Sequence, residues 1–226
     1  MSDKGKERAG LFGGTFDPIH LGHLRAAEVL REELSLCRII FIPAAIPPNK
    51  FKTHITPPRH RLEMLKLAIS ENPSFEICDY ELKKRTMSYT VDTLRYMNTA
   101  YPDSEFYFIV GNELFSEIET WKEHKELFKL SNFAVITRPG YSGKSGEKLP
   151  LALKNDFSYY KEKANVISFR DQNSKIIAFT KIRGLEISST EIRHYVMSGK
   201  SVKYLVPAAV ERYILENNIY PREASR

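Results

Sequence analysis

Cysteine, tryptophan and long apolar runs are all scarce in this chain. Its 226 residues include two cysteines and one tryptophan. No run of roughly eighteen apolar residues occurs, so no transmembrane helix is expected. The polar N-terminus lacks the apolar core of a secretory signal peptide. We therefore predict a cytoplasmic protein with no membrane partner.

Recognisable metal-binding and nucleic-acid-binding signatures are also missing. Cys37 and Cys78 stand apart in apolar or strand-like sequence, outside any metal-ligand spacing, which predicts reduced thiols and no protein-held metal. The formal net charge of +6 favours anionic partners. There is no arginine-rich tail and no nucleic-acid-binding module, so we expect no nucleic acid partner. The sequence leaves open whether the chain forms a homo-oligomer.

Five β-rich apolar runs alternate with amphipathic segments of helical periodicity. This order predicts an α/β fold of a single domain over 1–226: a Rossmann-like, doubly wound, mainly parallel sheet flanked by helices. Residues 1–7 are predicted to be a polar tail and 141–163 a surface insertion, and two later runs are expected to add edge strands. The five runs are Ala9–Phe12, Arg38–Pro43, Phe75–Cys78, Glu105–Val110 and Asn132–Thr137, and the two later ones are Val166–Phe169 and Ile176–Phe179.

Unusual polar residues follow four of the predicted strands. They lie in Gly13–His23, Ile42–Lys50, Gly111–Glu113 and Arg138–Gly140. In open α/β sheets, ligands bind beyond the carboxyl ends of the strands, where the strand order reverses. We therefore expect these four segments to surround one site.

The first segment, Gly13–His23, combines a glycine turn with two histidines three residues apart. It matches neither the dinucleotide fingerprint nor a phosphate-binding Walker loop. The turn, the hydroxyl of Thr15 and the imidazoles of His20 and His23 converge on a predicted helix start, where the helix dipole favours anions. Asp17, followed by proline, suits either a helix start or a catalytic contact. A polyphosphate fits such a site.

A second helix start lies far along the chain, in Ile187–Arg193. Ser188 and Glu191 have the spacing of a capping box, which by itself explains a helix start. Capping does not explain Arg193, which lies one turn beyond Ser189 on the same helix face. A guanidinium, a hydroxyl and backbone donors together indicate a second phosphate clamp.

Taken together, the motifs resemble those of a known family. His-x-Gly-His with a distant Ile-Ser-Ser-Thr-x-Ile-Arg resembles the nucleotidylyltransferase superfamily. Within it, the order of motifs from about Leu11 to about Tyr220 is similar to that of the bacterial nicotinate-nucleotide adenylyltransferases. The motifs that carry this closer resemblance are Pro47-Pro48-Asn49-Lys50, Ser88-Tyr89-Thr90, Thr120-Trp121 and Arg138-Pro139-Gly140. The resemblance implies transfer of AMP from ATP to nicotinate mononucleotide, which gives deamido-NAD and pyrophosphate.

The resemblance also implies a role for each matching residue. It assigns catalytic contacts to His20, His23, Lys50 and Arg193. The ATP site comprises Gly13, Gly14, Thr15, Phe16, His20, His23, Gly111, Glu113, Ile187, Ser188, Ser189 and Arg193. The mononucleotide site comprises Lys50, Tyr89, Thr90, Trp121 and Arg138. Mg²⁺ is expected to arrive on the ATP phosphates rather than in a protein cage.

The expected chemistry needs no general base. A phosphate monoester has a second pKa of about 6, so the attacking oxygen is already ionised at neutral pH. This agrees with a sequence that shows no carboxylate dyad, no Ser-His-Asp order and no nucleophilic cysteine motif. Alignment and charge neutralisation in an in-line transition state are then the expected means of catalysis.

Two residues depart from the family pattern. Asn49 stands where the family usually has histidine, and Glu113 where it usually has aspartate.

Three other functions are alternatives to this one. The nearest is a sister enzyme that uses nicotinamide mononucleotide or phosphopantetheine. A nucleotide sensor without catalysis would not need the histidine pair with Lys50 and Arg193. An RNA-binding module would leave the histidines unexplained.

Overall fold

Eight strands form one sheet in the computed structural model, which describes residues 6–46, 55–84, 86–137, 149–183 and 186–222. The strand order is β3-β2-β1-β4-β5-β8-β7-β6. The first six strands in this order run parallel, while β7 pairs antiparallel with both β8 and β6. The strands are β1 Glu7–Gly14, β2 Arg38–Pro43, β3 Phe75–Ile77, β4 Ser104–Gly111, β5 Asn132–Thr137, β6 Ser158–Lys163, β7 Val166–Arg170 and β8 Ile176–Lys181.

Helices cover both faces of this sheet. Their bounds are α1 Leu21–Glu33, α2 Pro58–Ile69, α3 Tyr80–Lys84, α4 Thr90–Ala100, α5 Asn112–Ser116, α6 His124–Leu130, α7 Ser189–Met197 and α8 Ala208–Glu216. Short 3₁₀ turns lie at Ile118–Thr120 and Leu151–Leu153. Among the described residues, no helix combines the length and apolar character that crossing a membrane requires.

Two apolar cores lie on opposite faces of the sheet because successive strand side chains point to opposite sides. On β2, Ile39 and Phe41 pack with α1, α2 and α8, whereas Ile40 and Ile42 pack with α4 and α6. All four side chains are buried. Because both faces of β2 are covered, every side chain of this strand from Ile39 to Ile42 has to be apolar.

The α/β architecture confirms the predicted fold class, and the bounds of β2 and β5 are as predicted. The two later runs form strands, but β7 and β8 lie inside the sheet rather than at its edge, because β6 pairs outside them. Cys37 and Cys78 are free thiols. The strand order reverses between β1 and β4, which places their carboxyl ends, Gly14 and Gly111, at the crevice where ligands bind in such sheets.

The structure differs from the sequence analysis at both predicted peripheral segments. The polar tail over 1–7 is too long, because β1 already begins at Glu7. Of the predicted surface insertion over 141–163, residues 149–163 are described, and the prediction is wrong for 149–157. Leu149, Leu153 and Phe157 are buried in the core beside α6. Ser158–Lys163 does lie at the surface, as the exposed edge strand β6. The flanking polar residues concealed the apolar contribution of 149–157.

One buried arginine connects the loops that surround the crevice. Arg61, on α2, is fully buried and donates hydrogen bonds to the carbonyls of Thr15 (2.7 Å), Thr56 (2.9 Å) and Ala45 (3.4 Å). Burial lowers the pKa of its guanidinium, while the nearby Asp17 carboxylate raises it. Three carbonyls from three separate segments thus depend on one side chain, which positions Thr15 at the crevice.

Replacing this side chain should destabilise the whole domain. Arg61→Met fills similar space but leaves the three carbonyls without their donor and the buried Asp17 carboxylate without the nearby positive charge, so we expect unfolding to require about 3–5 kcal/mol less free energy. Urea titration monitored by circular dichroism measures this. The control is Arg59→Met, an exposed residue on the same helix, which should change stability by less than about 0.5 kcal/mol. Equal effects of the two substitutions would contradict the role of Arg61.

Candidate active site

A cavity of about 740 Å³ opens at the carboxyl ends of β1 and β4. It brings together segments from across the chain, including both predicted phosphate clamps and the predicted mononucleotide pocket. The predicted site residues that line it are Gly13, Gly14, Thr15, His20, His23, Tyr89, Thr90, Gly111, Glu113, Trp121, Ile187, Ser188 and Ser189. The cavity is large enough for a nucleotide-sized ligand.

The turn after β1 requires glycine at position 14. A Cβ on Gly14 would lie 2.8 Å from the ring of Phe16, closer than real contacts allow. Phe16 has a positive φ of 48° and is 2% exposed, and its ring lies edge-on to that of His23 with 5.3 Å between ring centroids. Phe16 is therefore a support beneath the site, and it is not among the residues lining the cavity.

His20 and His23 bind each other's backbone at the start of α1. The His23 N–H donates to Nδ1 of His20 at 3.3 Å, and the His20 N–H donates to Nδ1 of His23 at 3.3 Å. His20 is the N-cap, and the two rings stack with centroids 3.6 Å apart. Because each Nδ1 accepts a hydrogen bond, the proton of each neutral ring lies on Nε2.

Burial keeps His20 uncharged. The side chain is 6% exposed, and desolvation lowers its pKa from 6.5 to about 4. At neutral pH this ring is therefore a neutral donor through Nε2–H rather than a cation. The helix begins at Leu21 with His20 as its cap, and not at Asp17-Pro18, which was one of the two alternatives for Asp17.

Asp17 holds the loop after β1 to distant parts of the chain. Its carboxylate accepts hydrogen bonds from the Thr56 N–H at 3.1 Å and the Tyr220 hydroxyl at 2.8 Å. Burial and this carboxylate raise the pKa of Tyr220. Asp17 is itself 4% exposed and does not line the cavity. Neither alternative from the sequence holds, since Asp17 is a structural tie rather than a cap or a group facing the cavity.

The first turn of α7 forms the opposite wall of the cavity. Ser188 caps the helix by accepting from the Glu191 N–H, as predicted, and Ser189 donates to the Pro18 carbonyl at 2.9 Å. Arg193 lies behind this wall, outside the lining. Its guanidinium donates to the Asp17 carbonyl at 2.7 Å and to Oγ1 of Thr190, which does line the cavity, at 3.2 Å. The two predicted clamps are thus bonded together.

The other end of the cavity is aromatic. Trp121 is half-buried and meets Phe108 edge-to-face, with ring centroids 6.1 Å apart. Tyr89 and Thr90 lie at the start of α4, a helix with no side-chain cap. Lys122 lies 4.6 Å from the centre of the Tyr89 ring. A flat ring with an anionic substituent suits these surroundings.

Sequence reasoning missed three residues that line this end. Lys122, Ser88 and Glu81 all face the cavity. Lys122 follows Trp121 directly and Ser88 precedes Tyr89, so their positions beside predicted site residues were the available signal. Glu81 offered no signal, because a single carboxylate in a polar segment is ordinarily exposed.

Three predicted residues lie outside the part of the chain that the structure describes: Lys50, Asn49 and Arg138. Their assigned roles stay predictions. Within the described residues, no group of three or more His, Cys, Asp or Glu side chains is placed to hold a metal ion.

The capping role of His20 predicts a specific pattern of stability. His20→Ala removes the hydrogen bond that Nδ1 of His20 accepts from the His23 N–H and should cost about 0.5–2 kcal/mol, whereas His20→Asn supplies a carbonyl at the position of Nδ1 and should keep most of that stability. Chemical denaturation of both variants measures the difference, and equal losses would contradict the capping role.

The neutral state of His20 also predicts a dependence of stability on pH. Because its pKa in the folded protein, about 4, lies below the ordinary histidine value of 6.5, the unfolded chain binds more protons between these pH values. The stabilisation is complete above pH 6.5 and is lost as the pH falls towards 4, to an upper bound of about 3 kcal/mol. The free energy of unfolding of His20→Asn should therefore decline less than that of the wild type over this range. Parallel curves would contradict burial of a neutral ring.

Comparison with known proteins identifies the family. The cytidylyltransferase-like family model matches residues 11–195. A "Probable nicotinate-nucleotide adenylyltransferase" of Geotalea daltonii is 42% identical, over 94% of this chain and 98% of that protein. A protein of the same name from Desulfitobacterium hafniense strain Y51 is 39% identical, over 95% and 96%.

Solved structures agree with this result at the level of the fold. The nicotinic acid mononucleotide adenylyltransferase of Plasmodium falciparum, complexed with NaAD, aligns with a TM-score of 0.71 and 20% identity, covering 96% of this chain and 98% of that one. The resemblance seen in the motifs is confirmed by relatives matched over nearly their full length. The chain belongs to the cytidylyltransferase-like family and, within it, to the nicotinate-nucleotide adenylyltransferases.

Proposed function

We propose that this protein transfers AMP from ATP to nicotinate mononucleotide, producing deamido-NAD and pyrophosphate. The observation that carries the proposal is a single cavity that joins a phosphate-binding end, at His20 and Ser188, to an aromatic end at Trp121. The names of its relatives support the same reaction. The chain thereby acts in NAD biosynthesis.

The phosphate-binding end offers donors from two helix starts. His20 and His23 present Nε2–H groups at the start of α1, and Ser188 and Ser189 lie at the start of α7. We assign the histidines to the phosphates that become pyrophosphate, with Thr15, Gly13 and Gly14 beside them. Fixed donors stabilise the charge that develops on the leaving group without any proton transfer.

Arg193 is assigned to the β- and γ-phosphates. Two of its N–H groups bind Asp17 and Thr190, which fixes the planar guanidinium beside the cavity wall. A guanidinium has five N–H donors in a rigid plane, so others are present for an anion. Lys50 is assigned to the phosphate of the attacking mononucleotide and Arg138 to the acceptor pocket, as the resemblance implies.

The acceptor end accounts for recognition of a pyridine carboxylate. Trp121 supplies a ring for stacking, which is worth about 0.5–1.5 kcal/mol beyond burial. Tyr89 and Thr90 place the start of α4 at the cavity, where uncapped backbone N–H groups and the helix dipole favour an anion. A carboxylate benefits from these donors more than a neutral carboxamide does.

The reaction proceeds by attack of the ionised phosphate of the mononucleotide on the α-phosphorus of ATP. The enzyme's contribution is to align the two substrates in line and to reduce repulsion between their charges. A divalent cation, which we propose is Mg²⁺, accompanies ATP. The described residues fit a cation held mainly by phosphate oxygens and water, since they form no acidic cluster. When bound, it neutralises phosphate charge.

The reaction is tested by following pyrophosphate release from ATP with three acceptors. We expect efficient release with nicotinate mononucleotide, weak release with nicotinamide mononucleotide, and none with phosphopantetheine. Mass spectrometry should identify deamido-NAD as the second product. Preference for the amide would contradict the assigned acceptor pocket, and tight ATP binding without turnover would indicate a nucleotide sensor.

The histidine pair should be required for turnover independently of stability. His20→Asn keeps the cap but removes Nε2–H, so we expect kcat to fall about 10²–10³-fold while the fold stays intact. The matched control is His194→Asn, an exposed residue on α7, which should leave kcat unchanged. Full activity of His20→Asn would remove the phosphate-binding role of that ring.

A further inference from the structure

A buried carboxyl group faces the acceptor end of the cavity and has no part in the reaction described above. Glu81, on α3, is 9% exposed and lines the cavity. Burial raises the pKa of its carboxyl group. Placing a carboxyl group in such surroundings is costly unless its oxygens are hydrogen-bonded, so its partners indicate its use.

Two hydroxyl groups from separate segments lie at this carboxyl. Oγ1 of Thr93, on α4, donates a hydrogen bond to Oε1 of Glu81 at 2.6 Å. The hydroxyl of Ser88 lies beside the same carboxyl, where it favours the ionised form and so lowers the pKa. Because Oγ of Ser88 accepts from the Ala45 N–H at 2.9 Å, the hydrogen of this hydroxyl is available to an acceptor. The carboxyl therefore accepts from α4 and adjoins the turn that precedes it.

The backbone of Ser88 is also hydrogen-bonded. Its N–H donates to the Ile46 carbonyl at 3.0 Å, and Met87 forms an isolated bridge with Ile46. The turn that leads into Tyr89 and Thr90 is therefore fixed between the segment after β2 and the carboxyl of Glu81. These two residues line the proposed acceptor pocket.

We propose that Glu81 is a positioning residue of the acceptor pocket: by accepting a hydrogen bond from Thr93 and lying against Ser88, it sets the orientation of Tyr89 and Thr90 and hence the affinity for the mononucleotide. This inference rests on the proposed function. Glu81 acts through Ser88 and Thr93 and is not itself a catalytic residue. The phosphate-binding end lies on other elements, α1 and α7, so the affinity for ATP does not depend on Glu81.

The test measures KM for each substrate separately in variants at both ends of the hydrogen bond between Thr93 and Glu81. Glu81→Gln places an amide N–H₂ group where a second acceptor is needed, and Thr93→Val removes one donor without changing shape. We expect each to raise KM for nicotinate mononucleotide roughly tenfold, with KM for ATP changed less than about twofold. Thr93→Ser keeps the hydroxyl and should restore the wild-type value.

The matched control is Glu76→Gln, which removes a carboxylate from an exposed position on β3 and should leave both KM values unchanged. Thermal melting verifies that each variant is folded, and Thr93→Val tests the inference if Glu81→Gln does not fold. Equal changes in both KM values, a fall in kcat alone, or an unaffected Thr93→Val would overturn the inference.

Failure of the proposed function gives a different result. In that case the wild type releases no pyrophosphate from ATP and nicotinate mononucleotide. Calorimetric titration with nicotinate mononucleotide alone then tests Glu81 directly. A dissociation constant raised about tenfold in Glu81→Gln supports the positioning role, and an unchanged or undetectable affinity in both proteins overturns it.

Discussion

The reciprocal hydrogen bonds between His20 and His23 are the constraint on which the site depends. They cap α1, orient both rings and place the proton of each neutral ring on Nε2. The ring of Phe16, fitted against Gly14, supports His23 from below. One local arrangement therefore serves stability and the proposed phosphate binding together, because the nitrogen that caps the helix is not the nitrogen assigned to the ligand.

The loops around the cavity are held by groups that never enter it. Arg61 binds three carbonyls, including that of Thr15, and Asp17 connects the same loop to Tyr220 near the end of the chain. Arg193 completes this arrangement by binding the Asp17 carbonyl. Electrostatic stabilisation of a transition state requires fixed donors, since donors that must first reorient lose most of their effect. The buried ties provide that rigidity.

The sequence predicts those features of the fold and the site that local residue patterns determine. The continuous apolar run of β2, the serine cap of α7 and the clustering of segments at strand ends all follow from periodicity and spacing. The sequence does not predict contacts between distant positions, because nothing local distinguishes them: Arg61 and Glu81 resemble ordinary charged residues on polar segments, yet both are buried. The prediction failed at residues 149–157 for the opposite reason, since polar neighbours concealed three core side chains.

The two ends of the cavity lie on separate elements, with the proposed phosphate donors on α1 and α7 and the proposed ring pocket on α3, α4 and the turn before Trp121. The hydrogen bonds described for the two ends share no side chain. The acceptor pocket can therefore change without altering the groups proposed to hold the adenylyl donor. An architecture divided in this way gives a superfamily a simple route to new substrates, and it gives protein engineers the same freedom.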